Sequence, residues 1–405
     1  MRSLLHPVLL LALLLSPAQL AGQQPYPHEN EPIGSVREVY DGVLSPEMAA
    51  NTFRNIHRLF PSRRIAASTH PRPLPRAAEP LGPITIVDEG ERYDLDEMME
   101  LNRISGLLVL RHGEIQLERY RLGNTEHTRW MSMSVAKSVT STLFGAALED
   151  GYVLSLDDPV TGYVPELTGT AYDGVSVRNV LMMASGVQWT ETYTDPTSDR
   201  RALLEAQIAQ KPGGAIEVMS RLSRAAEPGT VNHYSTGETQ IAGEVLYRAL
   251  GGPLSDYLHD QIWEPYGMEA DATWWLESPG GVEIGGSGFS AVLRDYGRLG
   301  QFILDGGVID GERVLPEGWV EEAGSPKTLR GGAPLDFYGY LWWTDTSEQG
   351  RRDHAFSGEG IHGQFLYINP AVDLVIVVWS ARPQPTGGQV VDEWALFGAV
   401  ADALR

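Results

Sequence analysis

The first clear pattern lies at residues 106–120. Apolar residues run from Leu107 to Leu110, Arg111 to Gly113 form a turn signal, and Glu114 to Leu117 alternate polar and apolar, which predicts a β-hairpin. From Val135 to Leu148 apolar positions recur at helical spacing, and 175–258 holds further helical segments broken by Gly and Pro. Strand-like runs return at Gln364 to Ile368 and Leu374 to Trp379. A sheet drawn from both ends of the chain around a helical middle predicts an α+β fold. We expect an antiparallel sheet flanked by helices, with an inserted, mainly helical subdomain at roughly residues 150–285. Between Arg54 and Pro83 six prolines favour an extended arm, a wrapping segment or linker, over a helix or central strand. The expected division is an arm at 23–83 and a single domain at 84–405.

The extreme N-terminus carries a different pattern. Arg2, the apolar run Val8 to Leu15 and the small residues Ser16 to Ala18 predict an export signal at 1–22, cleaved between Ala18 and Gly22. The run is too short to span a bilayer, so a periplasmic or secreted chain without a transmembrane anchor is expected. An amphipathic N-terminal helix of a cytosolic protein is the other reading. The chain has no cysteine, which excludes disulfides and thiolate metal sites. Its net charge of -22, with no basic stripe, makes nucleic acid an unfavourable partner.

Within this frame one Ser-x-x-Lys, Ser134 and Lys137, opens the predicted helix after Trp130. A spacing of three puts both side chains on one face, and the helix N-terminus favours negative charge developing beside the serine. The 31 lysines and arginines include only three lysines, Lys137, Lys211 and Lys327. A lysine, unlike an arginine, can serve as a base once burial or a nearby cation frees it of its proton. A second element, Glu227 to Thr236, leads through a turn to Tyr234 just before another helical run; a phenol there can accept the serine proton or relay it to a leaving group. The third, His354 to Gln364, reads as a hairpin turning at His362 and Gly363, whose first strand can offer a backbone N–H to a substrate carbonyl. A core tyrosine and an ordinary strand bulge are the bland readings of these two. No Gly-x-Ser-x-Gly elbow is present, since Gly285 to Phe289 lacks the last glycine, and no His-Glu-x-x-His occurs. A Ser-His-Asp triad stays open among ten histidines. No metal or cofactor is expected.

These three elements, in this order, resemble the serine β-lactamase and penicillin-binding-protein superfamily, and more closely its class C β-lactamase-like branch of esterases and 6-aminohexanoate-oligomer hydrolases. Further landmarks are Leu156 to Val160, Val180 to Val187, Ile262 to Met268, Arg294 to Gly300 and Tyr338 to Trp343. The resemblance covers roughly residues 84–400. It implies a β-lactamase/transpeptidase-like fold in which Ser134 forms an acyl-enzyme, Lys137 is its base and Tyr234 fills the tyrosine place of a Tyr-x-Asn motif, with Thr236 where the Asn would stand. It further implies an oxyanion hole of the Ser134 and Ile361 N–H groups, with Gly360 beside the substrate and Tyr193 as a loop tyrosine closing over it. The Lys of the family's Lys-Thr-Gly motif has no counterpart in Ser357 to Ile361, and Lys327 lies before the Tyr338 landmark instead of after it. The expected substrate is therefore a small ester or linear amide, acted on by a monomer or weak homo-oligomer. A D-alanyl-D-alanine peptidase or β-lactamase, and a non-catalytic binding or sensor module, are the alternatives.

Overall fold

The computed structural model describes residues 26–405, so the predicted export signal lies outside the described residues. Six antiparallel strands form the main sheet, in the order Trp343–Thr344, Phe356–Gly360, Gln364–Asn369, Leu374–Ser380, Ile104–Arg111, Glu114–Tyr120. The two ends of the chain meet at its centre, where Val375 pairs with Leu110 and Val377 with Leu108. Both central strands are buried along almost their whole length, which is why they read as continuous apolar runs. Leu108, Leu110, Val375 and Val377 pack with Leu299 and Phe302 of helix Leu293–Leu304. Leu107, Val109, Ile376 and Val378 pack with Leu396, Phe397 and Val400 of helix Glu393–Ala403.

The mixed architecture expected from the sequence is present, with the helical segments concentrated between Val160 and Trp263. Two features went unread. A second sheet of four antiparallel strands runs Ser62–Ile65, Ala272–Trp275, Phe289–Val292, Arg129–Met131. Ala272–Trp275 and Phe289–Val292 are four residues each and buried at every position, so neither alternates and neither is long enough to stand out. A strand pair, Ile86–Asp88 with Glu91–Tyr93, and helix Leu95–Leu101 also precede the predicted hairpin.

Residues 26–83 wrap the molecule and pack into its interior. Two helices, Val36–Asp41 and Pro46–Phe53, begin at Ser35 and Ser45, each capping its own first turn. Val39, Tyr40, Phe53 and Ile56 join the main core, and Ser62–Ile65 supplies the edge of the second sheet. Phe53 stands edge-on to Trp130, with ring centroids 5.8 Å apart, and 4.9 Å from His362. This segment therefore braces the strand that leads into Ser134 and the turn that ends the Gly360 strand. Phe53→Ala is expected to lower the unfolding free energy by about 3–5 kcal/mol in urea denaturation; a loss under about 1 kcal/mol would mean that the wrapping segment contributes little to the core.

Candidate active site

Strand Arg129–Met131 delivers the chain to Ser134, and its Trp130 is fixed from three sides. It stacks on Trp379 at 5.8 Å and donates its indole N–H to Gln364 Oε1 at 2.9 Å, while Tyr296 Oη donates to its carbonyl at 3.0 Å. Helix Val135–Glu149 follows, with Ser134 at its N-cap position. A serine there usually spends its hydroxyl on a backbone N–H of the first turn. Ser134 does not: its backbone is helical (φ -73°, ψ -3°) and the side chain makes no capping hydrogen bond.

The Ser134 hydroxyl meets Lys137 instead. Lys137 Nζ donates to Ser134 Oγ at 3.1 Å, to Thr236 Oγ1 at 3.2 Å and to the Gly286 carbonyl at 3.0 Å. The side chain is buried, and burial lowers its pKa to about 7; Glu191 pulls it up and Arg200 pushes it further down. Gly286 can approach because it has no side chain: a Cβ there would come within 2.1 Å of Thr239 Oγ1 and 3.0 Å of Lys137 Nζ. The glycine run 285–288, which fails as a nucleophile elbow, thus supplies one wall of the lysine's cage.

Thr236 opens helix Thr236–Leu250 and stands where the resemblance would place an asparagine amide. Its hydroxyl accepts from Lys137 and donates to Glu191, and its N–H donates to Glu191 Oε2 at 2.8 Å. A carboxylate at a helix N-terminus satisfies an otherwise unpaired N–H and meets the favourable end of the dipole. The indole of Trp189 also donates to Glu191. The loop holding Glu191 and Tyr193 is closed by Thr190 and Asp199: the Asp199 carboxylate accepts from the Thr190 N–H at 2.9 Å and hydroxyl at 2.8 Å, and the Asp199 N–H returns a bond to that hydroxyl at 2.8 Å.

Tyr234 lies two residues before Thr236, half-buried, with its ring stacked on Trp343 at 5.5 Å and edge-on to Tyr338 at 6.2 Å. Lys137 Nζ is 5.4 Å from the ring centroid. Burial, then the charge of Glu191, drive the phenol well above its ordinary range, although its contact with Ser134 works the other way. The group is a neutral phenol that can donate a proton. Its neighbour His233 turns aside and bonds the Trp189 carbonyl at 2.8 Å.

Gly360 ends its strand directly above the serine: a Cβ at Gly360 would lie 2.4 Å from the Ser132 carbonyl oxygen and 3.0 Å from the Ser134 nitrogen. Residues 361–363 make the predicted turn, with His362 and Gly363 both at positive φ. Among the described residues no backbone carbonyl accepts from the N–H of Ser134 or of Ile361. His362 is not at the surface, where a turn histidine commonly lies. It is buried, its Nδ1 lies 2.9 Å from the Arg382 carbonyl oxygen, and burial lowers its pKa to about 4.

Ser134, Tyr193, Tyr234 and Ile361 line one cleft of about 610 Å³, with Glu359 and Trp343 on its far wall. Tyr193 also faces an adjoining recess of about 590 Å³ beside Glu191. A larger cavity of about 890 Å³ lies elsewhere, near Val320 and Phe356, and contains no comparable nucleophile and base. The structure thus brings together every residue expected at the site and adds Glu191, Arg200, Gly286 and Glu359. Glu191 lies in the same short stretch as Tyr193 but carries no motif of its own. Glu359 sits next to Gly360 in the strand where the family's Lys-Thr-Gly lysine has no counterpart; burial lifts its carboxyl to about 8, and Asp392 and Glu393 act in the same direction. No group of three or more His, Asp or Glu residues suited to a metal ion occurs among the described residues.

A buried Ser-x-x-Lys pair at a helix start, a tyrosine across from it and a strand edge above it are features of the β-lactamase/transpeptidase-like class. Residues 94–401 match the Beta-lactamase family, and the chain belongs to it. It is 34% identical over 305 residues to the 6-aminohexanoate-dimer hydrolase of Paenarthrobacter ureafaciens, covering 72% of this chain and 76% of that protein. Two solved structures share the fold. One, from Bacillus anthracis and assigned as a 6-aminohexanoate-dimer hydrolase, has a TM-score of 0.73 at 23% identity, covering 88% of this chain and 94% of that one. The other is EstCE1, a hydrolase with promiscuous acyltransferase activity, with a TM-score of 0.58 at 15% identity, covering 76% and 96%.

With only three lysines in the chain, Lys137 can be followed by NMR of lysine-labelled protein. Its amine is expected to titrate near pH 7. A midpoint near the ordinary value of about 10.4 would mean that the cage does not exclude the charged form.

Proposed function

We propose that this protein is a serine hydrolase that cleaves small esters or linear amides through an acyl-enzyme on Ser134. The observation that carries the reading is the buried Lys137 amine at 3.1 Å from the Ser134 hydroxyl. At pH above about 7 the amine takes the hydroxyl proton as Oγ attacks the substrate carbonyl carbon. The resulting oxyanion is received by the N–H groups of Ser134 and Ile361. Tyr234, held as a neutral phenol, gives its proton to the departing oxygen or nitrogen and recovers one by way of Lys137. A water molecule, deprotonated by the same amine, then attacks the acyl carbon and releases Ser134.

Several features support an ester or linear amide over a β-lactam or cell-wall peptide. The strand along the cleft presents Glu359 and no lysine, and Arg382, which reaches the same cleft, is ion-paired with Glu393. A substrate carboxylate would find no free cation on that wall, and burying it unpaired is costly. The name of the Paenarthrobacter ureafaciens relative points to an amide of 6-aminohexanoate, and the half-buried Tyr193, which lines the cleft with Ser134, supports a substrate-covering role for that side chain. We take the protein to be exported, as the first 22 residues predict, and to act on its substrate as a monomer or weak homo-oligomer.

Ser134→Ala is expected to reduce turnover of a short p-nitrophenyl ester and of a linear aminohexanoate amide by about a thousandfold or more. Full activity in that variant would remove Ser134 as the nucleophile, and turnover of a chromogenic cephalosporin alone would reverse the substrate assignment. Tyr234→Phe separates the two proton steps. Nitrophenolate leaves without a proton whereas an amine does not, so amide turnover is expected to fall at least about tenfold more than nitrophenyl ester turnover. Equal losses would place Tyr234 in the attack step.

A further inference from the structure

Arg200, the second residue of helix Asp199–Ile208, is 1% exposed. Burying a guanidinium is costly unless a carboxylate matches it. The adjacent Arg201 follows that rule, pairing with Asp41 and donating to the Tyr193 carbonyl at 3.1 Å. Arg200 does not. Among the described residues it has no carboxylate partner, its Nη2 donates to the Tyr40 hydroxyl, and its Nε and Nη1 are buried without any hydrogen-bond partner. The guanidinium carbon lies 4.4 Å from the Tyr40 ring centroid, a contact that suits a cation but does not neutralise it. The side chain faces a narrow cleft bounded by Ser134, Thr236, Gly286 and Ile361, which include all three partners of the Lys137 amine.

The proposed hydrolysis needs Lys137 as a free amine, yet the carboxylate nearest to it favours the ammonium form. Glu191 lies just beyond the Thr236 hydroxyl and cannot be moved without releasing the start of the Thr236 helix. A counter-charge that never loses its proton can offset Glu191 at every pH, and only arginine supplies one. Building on the serine-hydrolase reading, we propose that Arg200 is a positioning residue for the proton chemistry, its unpaired buried charge balancing Glu191 so that the Lys137 amine stays free to take the Ser134 proton.

The two charges acting on Lys137 oppose each other, as the proposal requires: Arg200, like burial, disfavours the ammonium, and Glu191 favours it. The other groups facing Lys137 are the hydroxyls of Ser134 and Thr236, the Gly286 carbonyl and the neutral Tyr234 ring. Against Arg200 stand Tyr40 and Tyr193, the latter held as a neutral phenol by burial. Glu238, on the same helix as Thr236, is engaged instead by Tyr172 and Ser185. The wrapping segment thus reaches the site through Tyr40, which holds the guanidinium in place.

The test is the pH dependence of kcat/KM for a short p-nitrophenyl ester, measured on the full chain. Arg200→Gln is expected to move the acid limb upward by about half a pH unit or more. Tyr40→Phe, which keeps the guanidinium and the ring it lies over but removes its one hydrogen bond, is expected to move the limb by less than Arg200→Gln does. A purely structural Arg200 would lower Tm and the rate at all pH values without displacing the limb, and that result overturns the proposal. Arg200→Met, with the same aliphatic stem and no charge, carries the same two outcomes should the Gln variant fail to fold. Absence of ester turnover in the native chain, or turnover that survives Ser134→Ala, would remove the hydrolase reading itself. Native turnover with an unmoved limb in the neutral variants removes only the role of Arg200.

Discussion

A lysine amine taken out of water is the constraint around which the rest of this site is arranged. An ammonium buried without compensation is expensive, and a free amine in the same place is not, so the fold selects the protonation state that can act as a base. The cage works because its three partners, the Ser134 and Thr236 hydroxyls and the Gly286 carbonyl, are neutral, and the free amine, with two N–H groups and a lone pair, can accept from the Ser134 hydroxyl while donating to the other two. They hold the nitrogen in place without bringing a negative charge into contact with it. Glu191 is kept one hydroxyl away, close enough to anchor the helix that carries Thr236.

The larger architecture serves that geometry. Ser134 and Lys137 come from one helix, Thr236 from a second and Gly286 from the glycine segment ahead of strand Phe289–Val292, so three separate pieces of chain must meet within hydrogen-bonding distance. The small second sheet brings two of them together, because Arg129–Met131 pairs with Phe289–Val292 and fixes the approach to Ser134 relative to the glycine segment. The main sheet adds the Gly360 edge, whose lack of a side chain lets the strand sit against the serine's backbone. Residues 26–83 brace both, through Phe53 against Trp130 and His362 and through Tyr40 against Arg200.

Much of this was legible in the sequence. The central strands and the helix after Ser134 announce themselves by apolar runs and by periodicity, and the Ser-x-x-Lys spacing marks the helix start as the place for the proposed chemistry. The parts that were not legible share a physical reason. The strands at 272–275 and 289–292 are too short and too thoroughly buried to carry a period. The partners of Lys137 are a threonine hydroxyl and a backbone carbonyl, groups so common that no pattern marks them. Arg200 and Glu191 depend on long-range placement: an arginine reads as a surface charge until the fold shows it buried without a partner. Ahead of the proline-rich stretch, the apolar residues between Val36 and Ile56 join the main core, but they are too few and too scattered to stand out as a pattern.

The proposed action of Lys137 as an uncharged amine on Ser134 is tested most directly by the rate of covalent labelling by a serine-directed phosphonate, followed across pH with the labelled peptide identified. Labelling confined to Ser134, rising through about pH 7 and lost in Lys137→Arg, is the predicted result. Modification of another residue, or labelling of Ser134 at a rate indifferent to Lys137, would contradict it.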